Sequence, residues 1–192
     1  MEKVLKQKYI TKDDIIIEPN DILKEVSQEV QLPLSKDDRN LLKILYNHVS
    51  NSQDPEYAEK YDIRSAVGIA AIQLGIKKRL LAIKAEDDEG KVHKYLLANP
   101  QYLFKSEEIA YLGGGEGCLS VEEGKYTGIV PRHYQVVVEA YNFLTNSIEK
   151  IDVSGYLAVV LQHEMDHLDG LLYIEKINKL NPHLIKDDWI VL

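Results

Sequence analysis

The chain has 192 residues, 45% of them hydrophobic and 28% charged. That is one ordinary globular domain or at most two small ones, and it excludes wholesale disorder and fibrous repeats. A net charge of -8 argues against a general nucleic-acid or anionic-membrane binder, specific DNA binding included, and a single cysteine excludes an intramolecular disulfide framework.

The lysine-rich start, MEKVLKQKYITKDD, lacks the apolar core of a secretory signal. No stretch reaches the roughly 18 apolar residues of a membrane span. A reducing cytoplasm is the expected compartment, and without repeats or linkers, residues 1–192 are expected to be a single domain. In chain order, Ser35 with Asp38 predicts a capping box, followed by Leu41, Leu42, Ile44, Leu45 and Val49 at helical spacing to about residue 51. SAVGIAAIQLG at 65–75, small and apolar, comes next as a further helix signal. RLLAIKA (79–85) and KVHKYLLA (91–98) read as strands joined by a hairpin turn at Glu86-Asp87-Asp88-Glu89-Gly90. YQVVVEAY (134–141) is β-rich and turns at Asn142–Asn146 into 147–153. A last helix opens at Ser154-Gly155 and runs to about Asp169, with Gly170 as its C-terminal cap. Its first half, 156–161, is apolar nearly all round, which predicts burial. Many strands and few helices without βαβ alternation give an α+β fold, with antiparallel β-sheets packed around a buried central helix.

That helix continues Gln162-His163-Glu164-Met165-Asp166-His167, an H-E-x-x-H motif. Residues four apart share one helix face a turn apart, so His163 and His167 can reach one metal ion. Glu164, about 100° round the helix, is placed to touch a water on that ion rather than to ligate it. Such polar groups are costly to bury without an ion or hydrogen bonds. A catalytic metal needs three protein ligands and an open position. An extended motif would put a third histidine where Tyr173 stands. Cys118, in the glycine-rich run Gly113–Ser120, offers a thiolate suited to Zn²⁺ or Fe²⁺. Two other arrangements stay open: a zinc peptidase with Asp187 or Asp188 as third ligand, or a non-enzymatic structural metal module closed by His133 or His93.

Three segments, Ala66-Val67-Gly68-Ile69-Ala70-Ala71-Ile72-Gln73, Glu116-Gly117-Cys118-Leu119-Ser120 and Gln162-His163-Glu164-Met165-Asp166-His167-Leu168-Asp169-Gly170, resemble in order the hallmark motifs of peptide deformylase, within about residues 60–175. The strand Tyr95–Pro100, the run Tyr111–Gly115 and the longer gap from Cys118 to Val130-Pro131-Arg132 look like the second, insertion-bearing bacterial type. Ala66 replaces the first family glycine and Ile72 a common proline. If that glycine position takes positive φ, Ala66 predicts strain or a shifted loop beside Val67.

The resemblance implies a single deformylase-like catalytic domain that removes the N-formyl group from formylmethionyl nascent peptides and releases formate. It implies one divalent ion held by Cys118, His163 and His167, commonly Fe²⁺, with Zn²⁺, Ni²⁺ or Co²⁺ as substitutes. Glu164 then moves the proton. The Gln73 side-chain amide and Leu119 backbone N–H stabilise the developing oxyanion. Val67, Tyr156, Val159 and Val160 line a methionine slot, and the backbones of Gly68 and Gly117 pair with the substrate. Glu116 and Arg132 resemble a supporting ion pair beside the cysteine loop. Because the substrate emerges at the ribosome, transient ribosome contact is expected.

Overall fold

The computed structural model describes residues 4, 9–87 and 89–192, so part of the lysine-rich start and Asp88 of the acidic turn lie outside the described residues. Among these, the α-helices are α1 (Lys36–Ser52), α2 (Pro55–Tyr61) and α3 (Gly155–Leu168). The strands are β1 (Gly68–Ala70), β2 (Leu80–Glu86), β3 (Val92–Lys105), β4 (Ile109–Tyr111), β5 (Arg132–His133), β6 (Gln135–Asn142), β7 (Ser147–Ser154) and β8 (Ile190–Val191).

One sheet has the order β1-β2-β3-β6-β7, antiparallel throughout. The second has the order β5-β4-β8, and here the expectation of purely antiparallel sheets is corrected: β4 and β8 run parallel. The C-terminal segment returns beside β4, where Leu192 N–H donates to the Tyr111 carbonyl (2.9 Å) and Gly113 N–H to the Leu192 carbonyl (3.1 Å). A pairing between residues so far apart in sequence leaves no local signal.

Strand alternation explains how α1 and α3 take opposite faces of the large sheet. Leu80 and Ala82 of β2 pack with Leu41, Leu42, Leu45 and Val49 of α1. Leu81, Ile83 and Ala85 pack with Leu157, Ala158, Val160, Leu161 and Met165 of α3. Both faces of β2 are covered, which is why its sequence is a nearly unbroken apolar run. Helix α1 starts at Ser35, whose Oγ accepts from Asp38 N–H (3.1 Å). The Asp38 carboxylate accepts from the Ser35 hydroxyl and from Lys78 Nζ, both at 2.5 Å.

Residues 65–75 depart from the helical expectation. They divide into β1 and a one-turn 3-10 helix, Ala71–Leu74, closed by Gly75 at φ 73°. A short run of small apolar residues fits either periodicity, and pairing with β2 decides it. Ala66 is absent from the described non-glycine residues with positive φ, so the predicted strain does not arise. Its N–H donates to Ser52 Oγ (3.1 Å), and its carbonyl accepts from Gln53 Nε2 (3.0 Å), at the end of α1. Ile72 is fully buried in the core beneath α3. Helix α2 is an addition to the expected elements, although Asp54 caps it through Tyr57 N–H and Pro55 opens it. No helix among the described residues is long and apolar enough to cross a membrane.

Candidate active site

Helix α3 carries His163 and His167 on one face, and the glycine-rich loop after β4 brings Cys118 to them. Their ligand atoms all lie within 4.8 Å of one another. Cys118 Sγ is 3.2 Å from His167 Nε2. Sγ also receives Ser120 N–H at 3.3 Å and faces Gln73 Nε2 at 3.7 Å, donors that suit a thiolate. His163 is bound through Nδ1 to Glu116 Oε2 (2.8 Å), which leaves Nε2 for the site. Burial holds the His167 imidazole well below its usual pKa, in the neutral form a ligand needs. Among the described residues these three form the His/Cys/Asp/Glu group compact enough for one ion. The open alternatives lie elsewhere. Asp187 and Asp188 are exposed. His133 Nδ1 pairs with the Ser106 carbonyl and His93 with Asp87, both at 2.6 Å.

Two carboxylates flank His163. Glu116 is clasped by Arg132, with Nε to Oε1 at 2.7 Å and the second guanidinium nitrogen to Oε2 at 2.8 Å. Burial opposes its charge, but Arg132 and His163 outweigh that and hold its pKa at about 2. Glu164 is buried, and its Oε2 has no hydrogen-bond partner among the described residues. Burial pushes its pKa up to about 7. A carboxylate poised near neutrality suits general acid–base work. Gly68 is tied to this geometry: a Cβ there would lie 2.5 Å from Glu164 Oε1.

A cavity of about 970 Å³ opens over these groups. Val67, Gly68, Gln73, Glu116, Gly117, Cys118, Leu119, Tyr156, Val159, Val160, His163 and Glu164 all line it, so the sequence-expected residues converge, with His167 beneath and Arg132 behind Glu116. Gln73 is fixed at both ends of its amide: Oε1 accepts from Ala70 N–H (2.9 Å), and Nε2 donates to Ser120 Oγ (3.2 Å). Strand β1 is the free edge of its sheet. Lys84 N–H donates to the Val67 carbonyl, so the antiparallel ladder turns the N–H and C=O of the next residue, Gly68, away from β2 and toward the cavity.

The sequence motif of the family described as "Polypeptide deformylase" matches residues 12–183. "Peptide deformylase 2" of Bacillus cereus is 42% identical over 179 residues, covering 93% of this chain and 96% of that protein. The chain belongs to the peptide deformylase family. The peptide deformylase of Shouchella clausii is 43% identical over 171 residues, covering 89% of this chain and 92% of that one. Among solved structures, the peptide deformylase of Ehrlichia chaffeensis superposes with a TM-score of 0.70 at 25% identity, covering 90% of each chain. Peptide deformylases are metal-dependent hydrolases that remove the N-formyl group of newly made proteins, and this assignment excludes the peptidase and structural-module readings.

Several supporting residues carry little or no sequence signal. The Arg64 guanidinium donates to the carbonyls of Cys118 and Val121 (the latter at 3.1 Å) and so pins the cysteine loop, with no local signal in its own segment. Ser120 fixes the Gln73 amide. Tyr173 stacks on His163 with ring centroids 6.1 Å apart. Asp166 bonds Arg132 from a position the motif leaves unspecified. Its spacing of three from His163 is the available clue. His183, an ordinary histidine by sequence, lines the cavity.

Proposed function

We propose that Cys118, His163 and His167 hold one divalent ion, and that Glu164, Gln73 and the Leu119 backbone act on a formyl group beside it. A soft sulfur and two imidazole nitrogens converging in a largely buried pocket suit such an ion. The observation that carries the reading is Glu164 Oε2, buried without a partner among the described residues, on a residue that lines the same cavity as Cys118 and His163. When bound, the ion supplies Lewis acidity for a nucleophile at neutral pH and for a carbonyl oxygen gaining charge.

The chain's own groups supply the rest. Glu164 takes a proton from the attacking water and delivers it to the amine nitrogen as the C–N bond breaks, leaving formate and a free amine. Gln73 Nε2, already oriented by Ala70 and Ser120, donates to the formyl oxygen, and Leu119 N–H donates from the other side. Val67, Tyr156, Val159 and Val160 receive the methionine side chain. Gly68 offers its backbone to the substrate as a strand partner, and Gly117, around which a Cβ would meet nothing within 4 Å, leaves room for that chain. Glu116 and Arg132 orient His163.

The H-E-x-x-H helix is the centre of the fold, residues 1–192 act as one catalytic domain, and the 121–131 loop marks the insertion-bearing type. Fe²⁺ is the proposed native ion. The substrate is the formylmethionyl nascent peptide, met in transient contact with the ribosome in the cytoplasm. Formate release from formyl-Met-Ala by protein purified without oxygen, with metal analysis, tests the reading. One ion per chain and formate from the formylated but not the acetylated peptide are expected, and Cys118→Ala is expected to lose the ion. A Cys118→Ala variant that keeps ion and turnover overturns the ligand set.

A further inference from the structure

The charges behind His163 do not end at Arg132. While two guanidinium nitrogens hold Glu116, the third donates to Asp166 Oδ2. The other Asp166 oxygen lies 3.2 Å from Lys176 Nζ. Lys176, Asp166, Arg132 and Glu116 therefore alternate in sign along a chain that ends on His163 Nδ1, 2.8 Å from Glu116. The inner side chains are nearly inaccessible, 2% for Arg132 and 4% for Glu116, whereas Lys176 is 33% exposed. Lys176 is thus the outer member of a buried network and the one best placed for substitution without opening the core.

The geometry makes Arg132 a shared donor. Two buried carboxylates pull on one guanidinium, and its place on Glu116 depends on how strongly Asp166 competes. Lys176 weakens that competition by neutralising Asp166; without it, one cation faces two buried anions. Lys176 also directly succeeds the one-turn helix Tyr173–Glu175, whose Tyr173 ring stacks on His163. One short segment therefore supports His163 both through the ring face and through the charges behind it.

We propose that Lys176 is a positioning residue for the metal site: by neutralising Asp166 it keeps Arg132 on Glu116, and Glu116 in turn keeps His163 Nε2 aimed at the ion. The inference rests on the reading of His163 as a metal ligand and extends its support through two residues assigned no part in the reaction above.

The test compares Ni²⁺-loaded wild type, Lys176→Met and Lys176→Arg. Metal release to a colorimetric chelator is followed alongside kcat and KM on formyl-Met-Ala. Lys176→Met is expected to release the ion about 3- to 10-fold faster, below the effect usual for a direct partner of a ligand. Its kcat should fall with KM unchanged, and Lys176→Arg should restore both. In an Asp166→Asn background, Lys176→Met should add nothing further, because the two act in series. Wild-type release and turnover in Lys176→Met, failure of Lys176→Arg to rescue, or additive effects in the double variant would each overturn the proposal. A wild type that holds no ion or releases no formate overturns the site reading and this inference together; a normal wild type with indifferent Lys176 variants overturns this inference alone.

Discussion

Glu116 and Glu164 stand on either side of His163, both buried, and their surroundings are opposite. On the Glu116 side both oxygens are met by Arg132, and the carboxylate is held ionised with a pKa of about 2. On the Glu164 side one oxygen has no partner among the described residues, Gly68 closes in where a side chain would clash, and the pKa stands at about 7. Equal burial therefore gives unequal chemistry. A saturated carboxylate holds its charge and orients a neighbour, whereas an unsaturated one can exchange a proton. The difference comes from the partners, Arg132 and His163 on Glu116, not from depth in the fold.

The sharpest way to break this contrast is Glu164→Gln. Turnover is expected to fall by about 10²–10⁴-fold with the ion retained, and denaturant unfolding should find the metal-free variant at least as stable as wild type, because an unpartnered carboxylate is removed. Arg132→Met probes the other side. It strands Glu116 as a buried anion and should destabilise the protein by about 3–5 kcal/mol in the same unfolding assay. A smaller loss would mean that Glu116 has other support.

His48 is a control for burial away from the cavity. It is buried in α1, lies against the Ile10 backbone, and desolvation lowers its pKa from 6.5 to about 4. Stability is therefore full above pH 6.5 and is lost as pH falls through about 4, by about 3 kcal/mol. His48→Leu should flatten that acid limb in pH-dependent unfolding while leaving formate release unchanged. The smallest stability loss is expected from Gly68→Ala, roughly 1–3 kcal/mol of crowding against Glu164. Its kcat should fall more than its stability explains, and the kcat-to-stability comparison is the measurement.

Local features are the legible ones in this chain. The apolar run 156–161 marks a buried helix, Gly170 its end, and the spacing of His163 and His167 a shared face. The strands on both sides of the acidic turn are readable because β2 is covered on two faces, while β3 alternates over its first four residues and is then buried on both faces at Leu96–Ala98. Cys118 joins the histidines by motif resemblance, since no periodicity links residues 45 apart. The illegible features are set by distant partners. Arg64 finds carbonyls across the cavity, β8 pairs with a strand some eighty residues earlier, and Lys176 meets an aspartate inside a motif position that carries no fixed residue. Residues 65–75 are ambiguous for a different reason: small apolar side chains satisfy either helix or strand until a neighbouring strand chooses.

The free edge at β1 bears on how wide a repertoire one such protein can serve. Gly68 turns an N–H and a C=O toward the cavity. On the substrate pairing proposed above, these groups would meet the peptide main chain, which is the same in every polypeptide. On the same proposal, discrimination by side chain would narrow to the single residue that enters the slot at Val159 and Val160, and the residues behind it would be gripped without being read. A cell could mature its whole output of formylated chains with one active site, and a change in the sequence of a client protein beyond its first residue would leave that service intact.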